Sequence, residues 1–286
     1  MRYSVTLSYD GSSFSGWQIQ PNAPSVQEAL EKALSLALRE KVTVTGAGRT
    51  DAGVNACGYV AHFDAADNLD TSALGCKLNA ILPVSVRIHE VKIAEPDFHA
   101  RFDARYRRYN YFIHRSKDPF VRHYSYLYTF PLDVDAMNEA CKYLLGTHDF
   151  SCFEKTGGNS KTSVCTVFEA SWQPYEPTHV RLMGYPGVCS DGSQCKTTSA
   201  PEKGGDPLQW GGSDARSCRH CEYLVFTIAA DRFLRNMVRA VVGTLLDIGR
   251  GRYEPSHMAE VLASQDRCAA GESVPGHALF LSSVRY

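Results

Sequence analysis

Two related α/β halves, each with a largely antiparallel sheet and joined around a central cleft, are what the sequence predicts. Three observations carry this. The first hundred residues run strand, helix, strand, strand, helix, strand, the split-βαβ (ferredoxin-like) order. The residues after 105 repeat that order loosely. With 44% hydrophobic and 21% charged residues over 286 positions, the composition is that of an ordinary globular chain. Such a length buries a sufficient core without disulfides or metal, so folding calls for no cofactor. The halves are expected at 1–104 and 105–286.

Tyr3 to Ser8 alternates as a strand does, and "YDGSS" supplies the turn after it. Ser25-Val26-Gln27-Glu28 matches a capping box, with Ser25 placed to accept from a free N–H and Glu28 to reach back. Val26, Leu30, Ala33 and Ala37 follow at helical spacing. Strands at about Val42 to Gly46 and Gly58 to Asp64, a helix over Thr71 to Ile81 and a strand over Val86 to Ile93 complete the first half.

The second half opens on the basic strand "RRYNYFIHR" and continues with a helix over about Val134 to Leu145. Strands near Ser163 to Gln173 and Val180 to Met183 come next, then the strand "EYLVFTIAA" and a helix over about Phe233 to Ile248. A short helix over about Ser256 to Ala263 and the strand "LFLSSVRY" close the chain, and the sheets of the two halves are free to join. Between the strands lies an insert, Gly184 to His220, whose Gly, Ser, Asp and Pro content builds no core of its own. It and its edge hold Cys189, Cys195, Cys218 and Cys221. Four thiolates suit tetrahedral zinc, but C-x5-C is not a standard half-site and no second C-x-x-C appears, so the expectation is an unligated mobile loop and no metal.

The 30 Lys and Arg nearly balance 31 Asp and Glu, which argues against coating nucleic acid by bulk electrostatics. Any polyanion site must be a segregated patch. One candidate lies between Arg101 and Arg122, where Arg101, Arg105, Arg107, Arg108, Arg115, Lys117 and Arg122 outnumber Asp103 and Asp118. Phe98, His99 and Phe102 add stacking partners at its edge, and basic residues interleaved with aromatics suit RNA backbone and unstacked bases. No apolar run is long enough to span a bilayer and "MRYSVTLSYD" carries no signal-peptide core, so a cytoplasmic protein is expected. Of the ten cysteines, Cys57, Cys76, Cys141, Cys152 and Cys165 are scattered through periodic segments, as buried thiols in a reducing compartment would be.

The stretch "TVTGAGRTDAGVNACGYVAHF", Thr43 to Phe63, sets Arg49, Thr50 and Asp51 between glycines at a strand end. As structure alone it would be turn formers and a solvated ion pair. Against that, small residues on both sides admit another backbone or a ligand, and the bounding strands are rigid supports. The phosphate-loop lysine is absent. A carboxylate beside an arginine is held ionised, the form a nucleophile needs.

"GRTDAGV" resembles the catalytic motif of the bacterial tRNA pseudouridine synthase A family, and four further motifs follow in that family's order: "YDGSSFSGWQIQ" at Tyr9 to Gln20, "FHARF" at Phe98 to Phe102, "RRYNY" at Arg107 to Tyr111 and "FLRNMVRAVVG" at Phe233 to Gly243. They cover nearly the whole chain apart from the insert. Asn55 departs from the pattern, standing where the family commonly has histidine. The resemblance implies the pseudouridine synthase fold of two ferredoxin-like or RRM-like halves. It also implies isomerisation of uridines 38, 39 and 40 in the tRNA anticodon stem-loop: the N1–C1′ bond breaks, the uracil turns, and C5 bonds to C1′. No atoms enter or leave, so no cofactor is implied.

By the same resemblance Asp51 is the essential aspartate, with attack at C1′, attack at C6 and a glycal route all open to it. Arg49 matches the arginine associated with base flipping, its alternative role being Asp51's counter-ion. Tyr109 matches the active-site tyrosine, a ring for the flipped base to stack on and a hydroxyl to carry a proton. Strand alternation sets Tyr109 and Tyr111 on one face and Arg108 and Asn110 on the other. On a helix from Phe233, Arg232, Arg235, Arg239 and Gly243 form a stripe opposite Leu234, Val238, Val241 and Leu245, with Gly243 leaving room for something to approach. Arg239 matches the arginine that pairs with the aspartate. The family's RNA contacts fall on Phe98, His99, Ala100, Arg101 and Phe102, and on Gly157, Gly158, Asn159, Ser160 and Lys161. Trp17 and Gln18 are weaker candidates, the tryptophan being as suited to packing. A homodimer with tRNA spanning both subunits is implied as well.

Two other readings compete. A non-catalytic RNA-binding protein on the same scaffold would explain the basic patch but has little use for a carboxylate, which repels phosphate, in its deepest pocket. A nucleoside or sugar hydrolase usually needs two carboxylates, and the motif holds one.

Overall fold

The inward positions of the first strand alternate as its sequence does: in β1 (Arg2–Tyr9) Tyr3, Val5, Leu7 and Tyr9 are buried and their neighbours are not. In this computed structural model, which describes residues 1–155, 157, 162–183 and 222–286, β1 is followed by α1 (Val26–Leu38). The Ser25 hydroxyl caps α1 by accepting from the Glu28 N–H at 3.2 Å. Glu28 does not reach back to complete the box; its carboxylate pairs with Lys32 one turn on. β2 (Val44–Gly46), β3 (Asn55–Asp64), α2 (Thr71–Ile81, capped by Asp70) and β4 (Val86–Ile93) then follow in the expected order.

The remainder contains β5 (Tyr106–His114), the short β6 (Tyr126–Leu127), α3 (Val134–Lys142), β7 (Gly146–Asp149), β8 (Val164–Pro174), α4 (Thr178–Met183), β9 (Tyr223–Ala230), α5 (Met237–Gly249), α6 (His257–Ser264) and β10 (Leu279–Arg285). The described strands form one sheet in the order β4-β1-β3-β10-β5-β9-β8-β7, with β2 on β3 and β6 on β5. Apart from β10 against β3 and β6 against β5, every pairing is antiparallel. The last strand is the seam: β10 runs parallel to β3 through Phe280↔Asn55 and Leu281↔Ala56, and antiparallel to β5 through Leu281↔Tyr109. The segment before β3 and the middle of β5 are thereby brought to either side of one strand. α1 and α2 pack together on the β1 side, while α3, α5 and α6 pack together on the other.

Three expectations need correction, and one strand is new. The strand expected at Val180 to Met183 is helix α4, where the Arg181 N–H bonds back to the Pro177 carbonyl at 3.1 Å; a four-residue apolar run does not reveal its period, and Pro177 sits well at a helix start. The helix expected from Phe233 begins at Met237, because Asn236 has a left-handed φ of 65° that interrupts it. Arg232 and Arg235 therefore lie off the helix, and of the stripe's three arginines only Arg239 remains on it. The third helix ends at Lys142 rather than Leu145. β7, "GTHD", was not expected, since a short polar edge strand carries no apolar alternation. The insert and its cysteines lie outside the described residues.

Gly243 does leave room, but for the chain itself: a Cβ there would fall 1.8 Å from the Glu272 carbonyl oxygen. Among the described residues no helix is long and apolar enough to cross a membrane.

Candidate active site

The loop carrying Arg49, Thr50 and Asp51 rests on three buried aromatics. Trp17 and Tyr59 stack with centroids 4.0 Å apart, and Tyr9 leans on both. Gly46 is bare because they are there: a Cβ on it would lie 2.1 Å from the Tyr59 hydroxyl and 2.6 Å from the Trp17 ring. That hydroxyl accepts from the Gly48 N–H at 3.3 Å and donates to the Gly48 carbonyl. Tyr9 and Thr50 share a hydroxyl–hydroxyl bond of 2.9 Å, and the Thr50 carbonyl accepts from the Trp17 N–H at 3.2 Å. A tight turn then closes from the Val54 N–H to the Asp51 carbonyl at 3.2 Å, with Gly53 at a left-handed φ of 75°. These bonds engage the Thr50 hydroxyl and carbonyl, both Gly48 backbone groups and the Asp51 carbonyl, and none of them uses the side chain of Arg49 or Asp51. Trp17 is packing, and Gln18 is exposed.

Arg239 reaches Asp51 across 188 positions of sequence, its Nη1 lying 3.4 Å from Asp51 Oδ2. The pair keeps 22% and 28% of its side-chain surface open, so solvent or a substrate has access to the carboxylate. Exposed pairs of this kind add about 0–1 kcal/mol to stability; the value of this one is to aim the carboxylate. Arg239 is itself fixed, for its Nε donates to the Val274 carbonyl at 2.6 Å. The Tyr111 hydroxyl donates to the Pro275 carbonyl at 3.1 Å, and Asn55 Nδ2 to the His277 carbonyl at 2.8 Å. No motif marks the 274–277 segment, yet it holds the arginine that holds the aspartate.

Asn55 is buried, and its other end, Oδ1, accepts from the Gly11 N–H at 2.8 Å. The residue that departs from the family pattern thus ties two neighbouring segments to the start of β3 and does not face the cleft.

Tyr109 is 9% exposed, and its ring lies perpendicular to that of Phe233, with centroids 5.0 Å apart and an angle of 87°. Burial pushes its hydroxyl up to about 12; the Arg107 charge works against that rise and the Asp51 charge adds to it. At neutral pH it is an intact phenol, a donor and not a base. Arg49 is exposed and, among the described residues, has no hydrogen-bond or ion-pair partner. The counter-ion of Asp51 is Arg239 and not Arg49.

The Phe98 to Phe102 loop divides in use, its first three residues packed on the protein and its last two exposed. Phe98 packs edge-on against Tyr286 at 4.9 Å, and Ala100 is fully buried, its N–H donating to His62 Nδ1 and its carbonyl accepting from Tyr286. His99 accepts from the Arg101 and Phe102 N–H groups through Nδ1, both at 3.2 Å. Arg101 and Phe102 stand exposed, Phe102 at 74%. In the second expected contact loop Gly157 is exposed, and a Cβ on it would lie 3.7 Å from Arg235 Nη1; Gly158, Asn159, Ser160 and Lys161 lie outside the described residues.

The basic stretch does not form a continuous patch. Arg107 is buried and Arg108 pairs with Glu169 at 3.2 Å. Arg101 and Arg105 flank the start of β5, whereas Lys117 and Arg122 lie beyond its end, about 26 Å away at the rise of a strand. Lys117 and Arg122 instead border a cleft of about 460 Å³ with His114, Tyr126, Pro275 and His277, the last two on the segment that braces Arg239.

A family model described as tRNA pseudouridine synthase matches residues 6–103 and 140–286. The chain is 44% identical over 285 residues to the tRNA pseudouridine synthase A of Bacteroides thetaiotaomicron, an alignment covering 100% of this chain and 90% of that protein. It is 42% identical over 286 residues to the Bacteroides fragilis protein of the same description, covering 100% and 96%. It is 36% identical over 290 residues to that of Bacillus subtilis, covering 100% and 99%.

Proposed function

From the premise that the chain belongs to the tRNA pseudouridine synthase family, we propose that it isomerises uridines 38, 39 and 40 of the tRNA anticodon stem-loop, with Asp51 as the catalytic residue. The observation that carries this is the meeting of Asp51 with Arg239 in a partly open site beside Tyr109. The reading treats 1–104 and 105–286 as the two halves flanking the cleft, the first supplying Asp51 and the second Tyr109 and Arg239.

Taking a base out of a helical stem costs about a few kcal/mol, and an unpartnered guanidinium at Arg49 is suited to occupy the gap or grip its phosphate. The flipped uracil stacks on Tyr109, which recovers about 1–3 kcal/mol. The wall is flat and apolar, so the base turns on it without a fixed hydrogen bond to break, and the neutral hydroxyl supplies a proton where one is needed. Arg239 pairs with Oδ2 of Asp51, and the partly open carboxylate keeps Oδ1 for the substrate. Arg101, Phe102 and His99 contact tRNA, with Phe98 and Ala100 shaping their loop, and Gly157 to Lys161 make the second contact. Lys117 and Arg122 meet phosphates farther along the cleft. The enzyme acts as a cytoplasmic homodimer with tRNA across both subunits and uses no metal or cofactor.

The test is pseudouridine formation in an unmodified tRNA bearing uridines at 38 to 40, by wild type and Asp51→Asn, with affinity measured for both. Product from the first only, at equal affinity, supports the proposal. Binding without product from wild type leaves an RNA-binding protein, and product at other uridines overturns the site assignment.

A further inference from the structure

One of the seven basic residues between 101 and 122 has been taken out of solvent. Arg107 lies on β5 two residues before Tyr109, and its terminal nitrogens are spent on backbone carbonyls. Nη1 donates to Ala104 at 3.1 Å and Asp231 at 2.5 Å; Nη2 donates to Ala47 at 2.9 Å and Arg101 at 2.8 Å. Asp231 meets Arg107 through its carbonyl, while its Oδ1 accepts from the Thr166 and Arg232 N–H groups. Burial accordingly draws Arg107 below the ordinary arginine value.

A buried charge without a carboxylate is costly, and adhesion alone is served as well by an apolar side chain. What a guanidinium adds is geometry: a planar fork of donors that reaches several fixed acceptors at once, which a lysine ammonium does not. The acceptors come from separate segments. Ala47 is four residues before Asp51, Arg101 and Ala104 belong to the loop that presents Arg101 and Phe102, and Asp231 leads to Phe233, whose ring abuts Tyr109. We propose that Arg107 is a positioning residue that locks the Asp51 loop, the Phe98–Phe102 loop and the Phe233 segment into one arrangement, so that tRNA gripped at Arg101 and Phe102 meets the aspartate at a fixed place. The proposal rests on the functional reading given above. Arg107 itself touches no substrate.

Arg107→Lys keeps the charge and loses the fork. Single-turnover pseudouridine formation at saturating tRNA is expected to fall about ten- to a hundredfold, as misplacement of a reacting group does, while the tRNA Kd rises less than about threefold. Amide deuterium uptake is expected to quicken in both 46–52 and 99–104. A lysine variant at the wild-type rate overturns the proposal, because charge then suffices. So does a rate loss that vanishes at a temperature where both proteins are fully folded, with unchanged exchange in the two loops. If Arg107→Lys does not fold, exchange in the wild type decides: the two loops opening together supports the clamp, and independent opening overturns it. Asp51→Asn is run in parallel. If it retains activity, the reading of the site falls, whatever Arg107→Lys does.

Discussion

The two loops beside the cleft are held in different ways. Between Gly46 and Val54 the fold engages the backbone at several points, Gly48 at both ends by Tyr59, the Thr50 carbonyl by Trp17 and the Asp51 carbonyl by Val54, and it takes up the Thr50 hydroxyl through Tyr9. Between Phe98 and Phe102 it engages the first three side chains, burying Ala100 and half-burying Phe98 and His99, and leaves Arg101 and Phe102 in solvent. The difference follows from the tasks assigned to them. A carboxylate that must meet one atom needs a single backbone geometry, whereas a grip on RNA needs side chains that adapt to a phosphate or a base. The first loop should therefore fail in rate when cut, and the second in affinity.

Asp51→Asn tests that division most severely. It is nearly isosteric and keeps the turn, so the fold and the tRNA Kd should be unchanged while turnover falls by about 10³-fold or more, the scale of losing a proton-transfer or nucleophilic group. Comparable loss of affinity would mean that the carboxylate holds RNA-facing structure, and the division between the loops would collapse.

Tyr59→Phe comes next. The ring still stacks on Trp17, but both Gly48 backbone groups lose the partner they have among the described residues. Unsatisfied buried groups cost about 1–3 kcal/mol, to be read in urea unfolding. Since Gly48 is three residues from Asp51, the rate should also fall about tenfold at constant Kd, an expectation from misplacement. Phe102→Ala is the mirror case. At 74% exposure it should leave stability within about 0.5 kcal/mol of wild type. Its tRNA affinity should weaken about five- to tenfold if the ring stacks on a base, with the saturated rate unchanged.

What could be read ahead of the structure divides along the same line. Asp51, Tyr109 and Arg239 stand in local motifs whose order was visible, and the aspartate–arginine pair was anticipated across the cleft. The supports were not. Seven basic residues in a row look alike in sequence, and which is buried depends on where Ala47 and Asp231 fall in space, 60 and 124 positions from Arg107. Alternation sets Arg107 on the face of Tyr109 and Tyr111, a signal that was available and outweighed by the charge count. The brace at Val274 to His277 has no periodicity to reveal it, because it works through backbone carbonyls that any side chain would present. The start of α5 was misplaced because Asn236 adopts a left-handed conformation within an otherwise helical pattern.

The smallest effect on the rate near neutral pH concerns Tyr109, which belongs to the rigid region yet carries a titratable group. Burial raises its hydroxyl from 10.0 to about 12, so across pH 7 to 9 it stays protonated and should impose no inflection on the saturated rate. Because the proton is held more tightly in the folded state, its contribution to stability is fully present below about pH 10. It is lost as the pH rises through 10 to 12, where the unfolded chain has already ionised. A shift of that size corresponds to about 2–3 kcal/mol, and Tyr109→Phe should remove that share from alkaline unfolding. Tyr175, whose hydroxyl burial also pushes up to about 12, keeps its own share, so the variant's curve should be shallower and not flat. An inflection in the wild-type rate below pH 9 that disappears in Tyr109→Phe would mean that the phenol ionises during the reaction. The rigid side of the cleft would then supply a base as well as a wall.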